Sequence, residues 1–266
     1  MRRVLISILL VCLASATFAK AGTLGLNASQ LYEKGMNSLL GVGPSRTDLS
    51  AVDYFRRSAE LGYPQAQVVL GYFYETGSVV TQDPQQAADW YRKAARQDDR
   101  LADWLLGRIY YTGAIPRDVS AAESWLQKSA NQGDPFGQYL MGLIKLERND
   151  YSKAADWFRK AAMQGLPLAQ QHLGELLSQG QGVSVDKCEA YVWLLVSFDA
   201  GNQAVAADLA ALERDLGSNR VDASKSKARE LEPTVTRAVV AHGCEWPGAL
   251  NPVPTPPPPD VQRFCR

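Results

Sequence analysis

Residues 66–98 read AQVVLGYFYETGSVVTQDPQQAADWYRKAARQD, and residues 102–133 read ADWLLGRIYYTGAIPRDVSAAESWLQKSANQG. Laid one over the other, both run alanine, glycine, tyrosine and glycine, then aspartate, alanine, tryptophan and a small residue. In the first the landmarks are Gly71, Tyr74, Gly77, Asp83, Ala87, Trp90 and Ala94; in the second they are Gly107, Tyr110, Gly113, Asp118, Ala122, Trp125 and Ser129. The pattern extends in both directions. Aromatic anchors stand at Tyr54, Trp90, Trp125, Trp157 and Trp193, with steps of 36, 35, 32 and 36 residues. A glycine column, Gly35, Gly71, Gly107, Gly142 and Gly174, steps by 36, 36, 35 and 32 residues, so that from Gly71 on each glycine stands 17 residues after an anchor. Two columns that stretch and shrink together mark an internal repeat of a period suited to helix pairs.

Each column has a mechanical reading. Seven residues before each anchor stands Thr47, Asp83, Asp118, Asp150 or Asp186, residue types that cap orphan amides at a helix start. Asp83/Gln86 and Asp186/Glu189 have the spacing of a capping box. The anchor, its alanine three residues earlier and its small residue four later share one helical face. Eight residues after the anchor come Gly62, Asp98, Gly133, Gly165 and Gly201, at the stop position. Pro64, Pro135 and Pro167 follow, ready to open the next helix. A unit is therefore helix, turn, helix, turn. The small columns let helices approach, the aromatic fills the space between units, and the shorter 32-residue step comes from a turn reduced to Arg148-Asn149. No single pair can bury its apolar face, so stacked pairs must share a core.

These residues resemble the Sel-one-like repeat (SLR) family, related to the tetratricopeptide repeats. Its pattern, A-x4-G-x2-Y, a glycine turn, then D-x3-A-x2-W-x3-A-A-x-Q-G, is met well by the two quoted segments, with Asp98 for the last glycine of the first and Ser129 for the first alanine of the pair in the second. Residues 137–165 and 169–201 meet it less fully, and 29–62 is a divergent first copy with Tyr54 in place of tryptophan. The resemblance implies an all-α, right-handed α-α superhelix of about five repeats over residues 28–201. It also implies a scaffold for a protein or peptide partner rather than an enzyme. In such arrays the first helices line a concave groove at the positions three before and one after their glycine. Carried over column by column, these are Tyr32, Val68, Trp104, Tyr139 and Gln171, then Met36, Tyr72, Arg108, Leu143 and Glu175. Tyr32, Tyr72, Trp104, Arg108 and Tyr139 are the candidate partner contacts, because Trp, Tyr and Arg dominate interface energies; packing between helices is the competing role for several of them.

The flanks carry other signals. Arg2 and Arg3, an apolar run over residues 4–13 and a small-residue stretch ending in Ala19-Lys20-Ala21 compose a secretory signal over residues 1–21, so a periplasmic or secreted location is expected. The apolar run is too short to span a bilayer, and no later segment is long enough. Residues 202–243 are expected to form capping helices, over 204–216 and 221–242, with Pro233 kinking the second. Residues 244–266 form a Pro-rich tail of polyproline character.

Charge and chemistry point away from other classes. The chain has 28 basic and 28 acidic residues, so no field recruits nucleic acid. Only His172 and His242 exist, and no metal-ligand spacing, phosphate loop or nucleophile motif appears, so no metal, cofactor or catalytic residue is assigned. The alternative reading is an envelope enzyme or a glycan- or peptidoglycan-binding protein. Cysteine-rich relatives in the SLR family are linked to β-lactam binding or hydrolysis, but they carry a regular cysteine pair per repeat that this chain lacks. After signal removal Cys188, Cys244 and Cys265 remain. Two pairings stand open in an oxidising compartment: Cys244–Cys265, tying the tail to the cap, or Cys188–Cys244, tying the cap to the last repeat if Pro233 reverses the chain.

Overall fold

The structure is a computed structural model, which describes residues 25–39 and 50–243. Among these residues every regular element is a helix. The repeats comprise α1 (Ala28–Leu39) with α2 (Ala51–Glu60), α3 (Pro64–Thr76) with α4 (Pro84–Ala95), α5 (Arg100–Thr112) with α6 (Val119–Asn131), α7 (Pro135–Glu147) with α8 (Tyr151–Met163), and α9 (Pro167–Gln179) with α10 (Lys187–Asp199). A 3-10 turn (Gln203–Val205), α11 (Ala206–Leu216) and α12 (Ser218–Gly243) follow. The chain divides into two compact units: one holds α1–α4 and the other α5–α12. Within each unit, consecutive pairs pack as a repeat solenoid, the second helix of one pair lying against the first helix of the next.

Local chemistry sets the boundaries. Asp83, Asp118, Asp150 and Asp186 each accept a hydrogen bond from the amide three residues on, at 3.0, 2.9, 3.5 and 2.8 Å. Each such cap is worth about 1 kcal/mol. The first second-helix starts three residues later than expected: its cap is Ser50, which forms the reciprocal box with Asp53, and Thr47 lies outside the described residues. Proline occupies the first turn of α3, α4, α7 and α9. At the stop position Asp98 adopts the same left-handed backbone (φ 61°) as the glycines around it in the column. Asn149 (φ 58°) does the same in the shortened turn.

The core departs from the expected packing at one column. Of the anchors only Tyr54 and Trp193 are buried, whereas the residue after every anchor, Phe55, Tyr91, Leu126, Phe158 or Leu194, is buried completely or nearly so. It presses on the glycine of the paired first helix: a Cβ built on Gly71, Gly107, Gly142 or Gly174 would lie only 2.5–2.7 Å from Tyr91, Leu126, Phe158 or Leu194. Trp90, Trp125 and Trp157 are half-buried instead. Lys93 and Lys160 place their ammonium groups 3.5 and 4.1 Å from the ring centres of Trp90 and Trp157. Adjacent helical positions point about 100° apart, so only one of the two can face the glycine.

A second recurring device joins three helices. Gln67 donates to the Ala59 carbonyl at the end of α2 (3.1 Å), and Gln97 at the end of α4 donates to the Gln67 side chain (2.9 Å). Gln138 and Gln164 repeat this against the Ala130 carbonyl. Gln170 caps the Ala162 carbonyl, but Ala200 stands where a glutamine would complete the relay, and the buried Oε1 of Gln170 has no hydrogen-bond partner. In the third repeat Asp103 occupies this station, its buried carboxylate 3.3 Å from Lys128.

The last pair is closed by the cap. Val205, Leu209, Leu212 and Val221 join the core of the fourth and fifth repeats, while Ala228 and Val235 meet Val192 and Val196. Tyr191 donates to Glu213 at 2.7 Å. The α12 helix runs unbroken through Pro233, so the chain does not reverse there. It reverses at Gly217, whose φ is 74°.

Candidate functional site

The first helices carry the residues singled out as partner contacts, and the structure sorts them. In the unit of α1–α4, Tyr32 is half-buried between the rings of Phe55 (5.6 Å) and Tyr63 (5.2 Å). Burial, then the neighbouring Tyr63 and Asp99, raise its phenol above the ordinary range. Tyr32 is thus partly a packing residue, Val68 is fully in the core, and Tyr72 is half-exposed.

In the unit of α5–α12, Trp104 is 4 % exposed and stacked on Phe136 at 5.4 Å. It belongs to the packing between repeats. The Arg108 guanidinium stands 5.4 Å from the Trp104 ring, one turn further along α5. Tyr139 of α7 is half-exposed and contacts the rings of Phe158 and His172, each 5.9 Å away. Its phenol is pushed up to about 12 by burial, then by Tyr111 and Glu175, so it remains a neutral hydrogen-bonding group.

His172 brings together what the sequence left scattered. Its ring stacks on Phe158 at 5.0 Å, and its Nδ1 lies 3.0 Å from Glu175. Gln171 donates to the other Glu175 oxygen, and Asn202 donates to Gln171, both at 2.8 Å. Burial works to raise the Glu175 carboxyl, but the hydrogen bonds from His172 and Gln171 hold it below its usual value. His172 stands two residues before Gly174, outside the two groove columns, so no repeat spacing marks it as a contact residue. Nearby, Arg117 bonds the Tyr111 carbonyl (3.0 Å) and pairs with Glu147 (2.7 Å).

This arrangement offers half-exposed aromatic faces, a cation and a carboxylate held in place by side-chain hydrogen bonds. Such groups recognise a surface; no nucleophile stands beside a base among them. Among the described residues no cluster of His, Cys, Asp and Glu is arranged to hold a metal ion. Cys188 is a free, partly buried thiol in the first turn of α10. Cys244, its partner in one of the two expected pairings, and Cys265, the partner of Cys244 in the other, lie outside the described residues, as do the signal segment of residues 1–21 and the tail of residues 244–266.

The repeat boundaries agree with a known family. The Sel1 repeat matches five times, over residues 24–63, 64–99, 101–134, 137–166 and 167–202. The chain belongs to the Sel1 repeat family. Sel1 repeats generally mediate protein–protein interaction, and solved members share the architecture. A protective antigen of uropathogenic Escherichia coli with an SLR fold aligns with a TM-score of 0.67 and 26 % identity, covering 85 % of this chain and 56 % of the antigen. A Sel1 repeat protein from Oxalobacter formigenes aligns with a TM-score of 0.62 and 25 % identity, covering 77 % and 88 % of the two chains. Over 66 residues, 24 % of its length, this Sel1 repeat chain is 39 % identical to the chitin synthase regulator SKT5 of Saccharomyces cerevisiae. The aligned stretch amounts to 10 % of that regulator.

Proposed function

We propose that this Sel1 repeat protein is an exported scaffold, periplasmic or secreted, that holds a protein or peptide partner on the face formed by its first helices. The observation that carries the reading is the row of half-exposed Tyr139, His172 and Glu175 across α7 and α9, continued on α5 by Arg108. Aromatic faces and arginine are the side chains that give interfaces most of their energy. Tyr72 offers the same chemistry in the other unit, and Trp104 supports Arg108 from beneath rather than meeting the partner. The segment of residues 1–21 supports the export half of the reading.

The test is photo-crosslinking from Leu143 in the native host, with the captured partner read by mass spectrometry. Arg108→Ala and Tyr139→Ala are expected to reduce capture about ten-fold each, the loss typical of an interface anchor worth about 1.4 kcal/mol, with little change in melting temperature. Trp104→Ala is expected to lower both capture and melting temperature. Capture unchanged by Arg108→Ala and Tyr139→Ala would sink the reading.

A further inference from the structure

A second surface lies away from the first helices, between α10 and the cap helix α12. There Leu195, Val196 and Asp199 of α10 face Lys225, Ala228 and Arg229 of α12 across an open hollow of about 330 Å³. Its floor is apolar: Val196 and Ala228 are buried and Leu195 half-buried. On its rim, Lys225 and Arg229 stand one turn apart on the same side of α12. Lys225 also pairs with Glu213 at 3.3 Å.

We propose that this hollow is the seat of the chain's own Pro-rich segment, residues 252–261, with sequence PVPTPPPPDV. Three observations point to that occupant. Val196 meets Ala228, and Val192 lies in the same apolar cluster as Val235. The two helices are therefore antiparallel, and the end of α12 at Gly243 points back along α10. From Ala228 to Gly243 is about 22 Å of helix at 1.5 Å per residue. Residue 252 lies nine residues beyond Gly243, and extended proline-rich chain covers about 3.1 Å per residue, some 28 Å in all. The segment can turn at the helix end and reach the hollow with slack. Second, the hollow's chemistry suits polyproline. Proline rings are apolar and bring no amide donors that an aliphatic floor would leave unsatisfied, and their preset backbone loses little entropy on docking. Third, the charges complement each other: Asp260 follows the proline run directly, and the lining carries two cations, Lys225 and Arg229, against the one carboxylate of Asp199.

The test uses the full chain with a benzophenone amino acid in place of Leu195 and, in a second preparation, in place of the exposed Asp199. The second position keeps the test valid if the first disturbs folding. Irradiation is expected to join either position to residues 252–261 of the same molecule, read by mass spectrometry at monomer mass. Arg229→Glu is expected to lower the yield about three-fold, the scale of an exposed ion pair. Combining Arg229→Glu with Asp260→Lys is expected to restore it. Crosslinks confined to other segments, products only at dimer mass, capture of a separate protein in place of the tail, or no crosslink from either position would each overturn the proposal. Deleting residues 252–261 must abolish the monomer product without changing partner capture from Leu143, so this result stands or falls apart from the scaffold reading.

Discussion

The fourth and fifth repeats carry the same stations filled differently. In the fourth, Asp134 caps α7 through the amides of Phe136 and Gly137, Phe158 fills the space over Gly142, Trp157 lies half-exposed under Lys160, and Gln164 completes the relay on Gln138. In the fifth, Leu166 precedes α9 without a side-chain cap, Leu194 lies over Gly174, Trp193 is 4 % exposed, and Ala200 leaves Gln170 half-bonded. Backbone stations are thus kept from copy to copy, because stacking demands the same helix approach each time. The side chains around them follow what each repeat has for a neighbour.

Exchange at the buried station is the strongest way to break this comparison. Phe158→Ala is expected to cost about 3–5 kcal/mol in denaturant unfolding, the range for a buried aromatic. Trp157→Ala, one residue away, should cost well under half as much because its ring is already partly in water. Equal losses would mean that the two columns share the core.

The next effect is pH-dependent and belongs to the fourth repeat. Burial pushes the Asp134 carboxyl up to about 6, against the pull of the Gly137 and Phe136 amides and of Arg100. Its folded pKa lies above its unfolded value, so the folded state holds the proton more tightly. This contribution is greatest below about pH 4 and is lost as pH rises through 6, an effect of order 3 kcal/mol at 1.36 kcal/mol per unit. Relative to the parent, Asp134→Asn should gain stability steadily between pH 4 and 7 in paired melting curves. Glu123 and Asp150, held low by hydrogen bonds to Lys145 and Lys153, act in the opposite sense at lower pH; the paired comparison cancels them.

Smaller effects sharpen the relay. Gln138→Leu strands the Ala130 carbonyl and the Gln164 amide, at an expected cost of about 2 kcal/mol. Gln170→Leu strands only the Ala162 carbonyl and should cost less. Ala200→Gln supplies the missing donor and is expected to add about 1 kcal/mol. No gain from Ala200→Gln, with Gln138→Leu neutral, would show that the relay carries no net stability.

Much of this was legible beforehand. The glycine and aromatic columns marked every helix pair, because period and cap chemistry are local. The aspartate caps, the prolines in first turns and the two-residue turn at Arg148-Asn149 were readable for the same reason. The burial of Phe55, Tyr91, Leu126, Phe158 and Leu194 was not, since their mixed identities hide a column that the tryptophans advertise. Nor was the sorting of the contact candidates: Trp104 and Tyr139 occupy equivalent positions, yet Phe136 covers one ring and the other stays half-open.

By itself, the sequence determined that this chain is an all-helical array of Sel1 repeats, where four of the five second helices start, and which glycines each pair must keep. Those properties depend on contacts within about one period, so they recur as columns. Tertiary structure alone decided which neighbour of each aromatic is buried, that His172, Gln171, Glu175 and Asn202 form one network, and that α12 returns along α10 to leave a hollow there. These depend on which side chain a different helix presents across the interface, and no spacing along the chain encodes that.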